Sequence, residues 1–276
     1  MKFFGCRRFL VVLLLFAITC GGCTGDSGKT QKKPVTSIQQ LNDPAYTVAS
    51  FGAGAMFEAV KRDLPKAKHS YMEGQQGYEA VQAGKADAYA DNRTLMAVAI
   101  AEGLKGVRLL PGSIGEKVQI AVGLSRASKI PDIKHKIDTF IAELKTDGTL
   151  QNMYQRWAVD RNYTMPDISV PGKSDTKLVV GTTGVIMPFS YYEGTTLTGY
   201  DVELARRFAK WLGAELEFKV YSFDGAIAAA AVGDIDCIMS DLNVTPERAE
   251  KIDFSDTLYI EDIALMVKYD TSVSEE

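Results

Sequence analysis

The sequence is short of cysteine, histidine and basic charge, and it has a single long apolar run. Of four cysteines, Cys6, Cys20 and Cys23 crowd into the first 23 residues, leaving Cys237 alone in the rest. An internal disulfide in the body of the chain is therefore excluded. Cys237, inside the apolar run "IDCIMS", reads as a small buried hydrophobe. The two histidines, His69 and His135, lie in separate segments without cysteine neighbours, a pattern that provides no His/Cys metal centre. Lys and Arg together number 31 against 35 Asp and Glu. A net acidic body without a basic patch argues against nucleic acid as a partner. The one apolar run, Phe9–Thr19, is too short to span a bilayer comfortably but suits the hydrophobic centre of a secretory signal.

That run follows a basic start, "MKFFGCRR", and ends in "GGC". Residues 1–22 read as a signal peptide and Gly21-Gly22-Cys23 resembles a bacterial lipoprotein cleavage box, with Cys23 the lipidated residue. Cys20 departs from the Leu or Val usual three residues before such a cut. Loss of Lys2, Arg7 and Arg8 with the leader takes the net charge from −4 to −7. Residues 23–35, "CTGDSGKTQKKPV", are polar and read as a lipidated tether.

What is present is alternation. "YTVASF" (46–51) is β-branched and apolar; "AMFEAVKRDLP" has helical spacing and Pro65 stops it. Short helix, strand and helix follow, then the Val- and Ile-rich "KVQIAVGLS". Ile133, Ile137, Phe140, Ile141 and Leu144 recur at helical spacing, with Gly148 past the end. "YTMPDISVPGKSDTK" (163–177) reads as a linker, after which strands and helices resume. There "DVELARRFAKWLG" is a helix with Asp201 as its cap. The halves echo each other. "EAVQAGKADAYAD" (79–91) and "AIAAAAVGDIDCIMS" (226–240) each carry a short helix, Gly-x-x-Asp and a strand. Gly84 and Asp87 correspond to Gly233 and Asp236. Alternation of this kind predicts α/β lobes with ligands at the carboxyl ends of strands.

The segments "VVGTTGVIMPFSYYEGTTLTGYDVELARRFAKWLG", "FDGAIAAAAVGDIDCIMSDLNVTPERAEKIDFSDTLY", "GKADAYADN" and "ELKTDGTLQNMYQRW" resemble the periplasmic amino-acid-binding proteins of ABC importers, the family 3 extracellular solute-binding proteins. The likeness extends over nearly all of residues 36–269. It implies a two-lobed periplasmic binding protein-like II fold with the ligand cleft between lobes. The order differs from the family's: the "TPER" segment follows the segments it normally precedes. A circularly permuted chain is the simplest account. Lobe 2 is then residues 36–122, helices packing on lobe 1 span 123–162, the permutation linker is 163–177, lobe 1 is 178–270 and 271–276 is a tail. In such a chain only the crossing near "AVGLSRAS" (121–128) is expected to be covalently continuous. The other would be held by pairing of the strand around Leu265–Val267.

The resemblance also implies roles. Arg248 would clamp a ligand carboxylate with its planar fork, and Asp91, from the other lobe, would pair with the ammonium. Asn243 would offer its backbone N–H to the carboxylate and its side-chain oxygen to the ammonium, and Asp241 its backbone carbonyl. Gly54 and Ala53, at a helix start, would meet the carboxylate. Phe223, Thr183 and Ile186 would form the side-chain pocket. Thr183 and Ile186 lean away from basic ligands, towards a neutral polar or moderately apolar amino acid. The implied partners are that amino acid, the ABC permease subunits and, through the lipid, a membrane. A monomer without metal or cofactor is expected, exported to the periplasm or cell surface. A cyclohexadienyl dehydratase-like enzyme and an amino-acid sensor module are the alternatives on the same fold.

Overall fold

The computed structural model describes residues 33–52 and 54–269. Cys23, the leader and Ala53 therefore lie outside the described residues. In chain order the first elements are β1 (Thr47–Phe51), α1 (Ala55–Asp63), β2 (Lys68–Met72), α2 (Gly74–Gln82), β3 (Ala88–Asn92), α3 (Arg93–Ala101), β4 (Val107–Leu109) and β5 (Ile114–Ile120). They are followed by β6 (Gly123–Leu124), α4 (Ile133–Thr146) and α5 (Thr149–Tyr154), which runs into one π-turn, Gln155–Val159. Residues 161–176 carry no helix or strand. Then come β7 (Lys177–Thr182), β8 (Val185–Ile186), β9 (Ser190–Glu193), β10 (Thr196–Thr198), α6 (Tyr200–Leu212), β11 (Glu215–Val220) and α7 (Phe223–Val232). The last are β12 (Cys237–Ile238), α8 (Pro246–Ala249), β13 (Asp253–Phe254) and β14 (Tyr259–Lys268).

The strands form two main sheets. Lobe 2 is built on β2-β1-β3-β14-β4, with β5 also paired to β14; lobe 1 is built on β11-β7-β12-β6-β13, with β10-β9-β8 beside it. The first three strands of each sheet are parallel, as helix-joined strands must be. Buried residues of α4, α5 and the π-turn, among them Ile137, Phe140 and Trp157, share one core with Leu178, Val180 and Phe208 of lobe 1. The sequence echo is structural. Asp87 accepts the Thr47 N–H at 2.7 Å and Asp236 accepts the Val179 N–H at 2.9 Å. In both halves the aspartate's own N–H returns to the carbonyl of that same strand residue. This double link ties each turn to the start of a central strand and so fixes where that strand's carboxyl end emerges.

Two sequence expectations need correction. The crossing strands between the lobes are both covalently continuous: Ala121–Val122 joins β5 to β6, and residues 255–258 join β13 to β14. Ser255 N–H donates to Val122 O at 3.0 Å, Val122 N–H donates to Ser255 Oγ at 3.0 Å, and Leu258 N–H donates to Ile120 O at 2.8 Å. Residues 259–268, grouped with lobe 1 from sequence, thus complete the sheet of lobe 2 by pairing with β3, β4 and β5. Asp201 does not cap α6, which starts from Gly199. Its buried carboxylate instead receives the N–H of Asp241 at 2.8 Å. Gly199 is required: its φ is +127°, and a Cβ there would stand 2.1 Å from Phe189 O.

Candidate functional site

The carboxyl ends of β3 and β12 face each other, and the side chains they deliver line one cleft of about 450 Å³. Arg248 reaches it from α8. Thr245 caps that helix, its Oγ1 accepting the Arg248 N–H at 3.3 Å, and Pro246 occupies the first turn. The far end of α8 is held by Arg126, which donates to the carbonyls of Ala249 at 2.7 Å and Glu250 at 2.8 Å and pairs with Asp253 at 2.8 Å. The Arg248 guanidinium donates to Asn243 O at 2.8 Å and lies 4.6 Å from the Phe223 ring centroid. No carboxylate within 4.0 Å pairs with it among the described residues. Burial lowers its pKa from the ordinary value.

Asp91 is the last but one residue of β3 and only 3% exposed. It accepts the N–H of Asn92 at 2.8 Å, yet burial pushes its pKa up to about 7, with the Glu261 charge adding to the rise. Asp241 follows β12 with φ +49°. Its carboxylate accepts the Asn92 Nδ2 at 2.9 Å and the Tyr259 hydroxyl at 2.8 Å. Burial again raises its pKa well above the carboxylate range. Asn243 meets the opposite lobe: Oδ1 accepts from Asn92 Nδ2 at 3.2 Å and Nδ2 donates to Met56 Sδ at 3.3 Å. Phe51 and Phe223, one from each lobe, make an edge contact at 5.8 Å.

The structure therefore brings Arg248, Asp91, Asn243, Asp241, Phe223 and Ile186 around one cavity. It does not bring Thr183, whose hydroxyl and N–H are tied to Ser240 Oγ at 2.9 Å and 3.2 Å behind the cleft wall. The chain turns at Gly184, φ +68°, so the wall is made by Val185, Ile186 and Met187 instead. Gly54, at the start of α1, lines a groove adjoining the cleft and sharing Phe223 and Arg248 with it. Asn243 Oδ1, expected to face an ammonium, is engaged by Asn92. Missed from sequence were Asn92 itself, Tyr78 and the apolar wall of α3, Leu95, Val98 and Ala99. For α3 the helical spacing was the available signal; for Asn92 nothing short of its position beside Asp91 gave one.

Residues 178–274 match the family model of bacterial extracellular solute-binding proteins, family 3. The arginine-binding extracellular protein ArtP of Bacillus subtilis is 37% identical over 97 residues, 35% of this chain and 38% of that protein. The L-cystine-binding protein TcyJ of Escherichia coli is 37% identical over 92 residues, 33% of this chain and 35% of that protein. Among solved structures, the arginine-bound form of domain 1 from TmArgBP is 31% identical, over 35% of this chain and 82% of that one, with a TM-score of 0.30. The chain spans well under half the length of the curated relatives it matches.

Proposed function

Because this chain belongs to the bacterial extracellular solute-binding proteins of family 3, we propose that it captures a free amino acid outside the cytoplasm and delivers it to an ABC importer. The observation that carries this reading is the sharing of one cleft by Arg248 and Asp91 from opposite lobes. A zwitterion needs a cation and an anion at either end, since a buried charge without a partner costs several kcal/mol. Among the described residues no carboxylate lies within 4.0 Å of the Arg248 guanidinium and no Lys or Arg pairs with Asp91 at that distance. Both are left in the state a ligand would complete. Closure of the lobes about the paired crossing strands would trap it.

The wall formed by Leu95, Val98, Ile186 and Met187 suits a neutral, moderately apolar side chain. The relatives' names, arginine-binding and L-cystine-binding, support an α-amino acid as the class. The relatives are named as binding proteins, which supports capture rather than turnover. An exported monomer anchored through Cys23, with permease subunits as partner, completes the proposal. So does the permuted order: Val35 O accepts from Arg108 Nη2 at 2.9 Å and Tyr269 N–H donates to Gly106 O at 2.8 Å. The two ends of the described chain thus rest on the same short stretch, as a moved chain break requires.

The test is a thermal-shift panel of L-amino acids. At a hundredfold excess over Kd a ligand adds about 2.7 kcal/mol, a rise of roughly 5–10 °C for a chain of this size. Arg248→Ala is expected to remove the rise, leaving the unliganded melting temperature within a few degrees. A wild-type chain indifferent to every amino acid overturns the reading.

A further inference from the structure

A junction between the lobes lies beside the hinge, at residues that do not line the cleft. Glu261, on β14 of lobe 2, is 3% exposed. Its Oε1 accepts the Tyr154 hydroxyl at 2.8 Å and the Thr94 hydroxyl at 2.6 Å. The two hydroxyl oxygens stand 2.8 Å apart. Thr94 belongs to lobe 2, in the first turn of α3, a helix whose N-cap side chain makes no capping bond. The Thr94 N–H reaches Glu261 Oε2 at 3.4 Å, so the carboxylate serves that helix start in the cap's place. Tyr154 ends α5 and belongs to lobe 1. It packs on that lobe's core, its ring edge-on to Tyr200 at 6.5 Å and tilted on Tyr259 at 4.9 Å. Thr94 and Glu261 therefore meet within one lobe, and the Tyr154 hydroxyl carries the bond across to the other.

Asn92 also bonds across the lobes, to Asp241 at 2.9 Å and Asn243 at 3.2 Å, but those residues line the cleft, where a ligand competes for them. Thr94, Tyr154 and Glu261 do not line it. Leu95, next to Thr94, does, and it also packs against the core of lobe 1. The start of α3 thus leans on lobe 1 at the point where it forms the cleft wall. Resting on the reading of the cleft as a site that closes on its ligand, we propose that Tyr154, Glu261 and Thr94 form an interlobe latch, untouched by the ligand, which sets how much of the unliganded protein is already closed. Opening about the crossing strands draws α5 away from α3 and takes one donor from a buried carboxylate, which is costly for a charged acceptor. The latch therefore favours the closed state before any ligand arrives. A ligand that binds the closed state gains apparent affinity in proportion to the closed fraction. Tyr154 is a positioning residue in this scheme and Glu261 the acceptor it needs.

The experiment compares wild type with Tyr154→Phe, which keeps the ring and its packing and removes only the hydroxyl. Small-angle scattering is recorded without ligand and with the L-amino acid that raises the melting temperature most, and Kd is measured for the same amino acid by calorimetry. Expected are a larger radius of gyration for the unliganded variant, equal radii for the two liganded chains, and a Kd weaker by roughly fivefold. Glu261→Gln keeps an oxygen for Tyr154 and is expected to hold the wild-type radius, whereas Glu261→Ala opens as Tyr154→Phe does. A Tyr154→Phe chain with the wild-type unliganded radius and Kd overturns the proposal, even if it melts lower, because the bond is then structural only. That result leaves the amino-acid reading intact. Absence of binding by every amino acid of the panel overturns that reading, and the unliganded radii still decide the latch: a larger one supports it and equal ones overturn it. Where Tyr154→Phe fails to fold, the unliganded radii of Glu261→Gln and Glu261→Ala make the same decision.

Discussion

Asp201 shows how a single residue can be legible as important and misread in its role. Its position before a helix suggests a cap, but its carboxylate lies 2% exposed and receives only the N–H of Asp241. Burial pushes its pKa from the ordinary 3.8 up to about 7. For an acid whose folded pKa is raised, the folded state binds more protons than the unfolded chain between those values. Its stabilising contribution is therefore complete below about pH 4 and is lost as pH rises through 7. The full loss is at most roughly 4 kcal/mol, from about 1.4 kcal/mol for each pH unit. The unliganded protein should thus melt lower at pH 8 than at pH 5. Asp201→Asn, which keeps an oxygen to accept the Asp241 N–H, should make the fall shallower by several degrees. A variant with the wild-type dependence of melting temperature on pH would show that this carboxyl is ionised throughout.

At the scale of elements, alternation and the Gly-x-x-Asp echo disclosed the two sheets, because strand ends and turns are governed by residues close in sequence. Sheet membership was not disclosed. The run "DIALMVK" is apolar enough for either sheet, and only pairing with β3, β4 and β5 decides that β14 belongs to lobe 2. The site divides the same way. Arg248, Asp91, Phe223 and Ile186 sit on motifs, and the motifs lead to the cleft. The Asn92–Asp241 link joins residues 149 positions apart and has no local signature. Thr183 was misplaced because the backbone turn at Gly184 directs the next three residues, not Thr183, at the ligand space. Glu203 is a further element-scale junction that spacing did not announce. Fully buried on α6, it pairs with Arg156 and with Arg207 at 2.9 Å and accepts the Trp157 indole N–H at 2.7 Å. It fastens α6 to the π-turn that ends the helices of 133–159. Glu203→Ala leaves two partly exposed guanidinium groups, 25% and 31% exposed, and a buried indole N–H without their acceptor. The expected loss is ~3 kcal/mol, below the upper range for a fully buried pair because both arginines reach water. Urea unfolding should show a lower midpoint with an unchanged slope. An unchanged midpoint would mean that water replaces the carboxylate without cost.

Taken as a whole molecule, the chain draws its mechanics from the two crossing strands. A permuted chain with one broken crossing would open loosely. Here Ala121–Val122 and residues 255–258 both run unbroken between the lobes and pair with each other, so the hinge keeps its two covalent strands whichever element the chain starts from. The segment 163–176 is held away from the hinge: Tyr163 stacks on Trp157 at 6.2 Å and Ser174 donates to Gly213 O at 2.7 Å. If the order is a permutation, the elements should not depend on it. A chain running 178–269, a short Gly/Ser bridge, then 34–162 is expected to fold, to melt within a few degrees of the original and to show the same ligand-induced shift. The bridge need only span ends that already rest on Gly106–Arg108, and loop closure of a few residues costs little. Small-angle scattering of the two unliganded chains should give equal radii of gyration, since neither loses a hinge strand. A rearranged chain that stays unfolded, or one that folds with a larger radius and no ligand response, would show that residues 163–176 are a structural part of this protein and not the seam of a permutation.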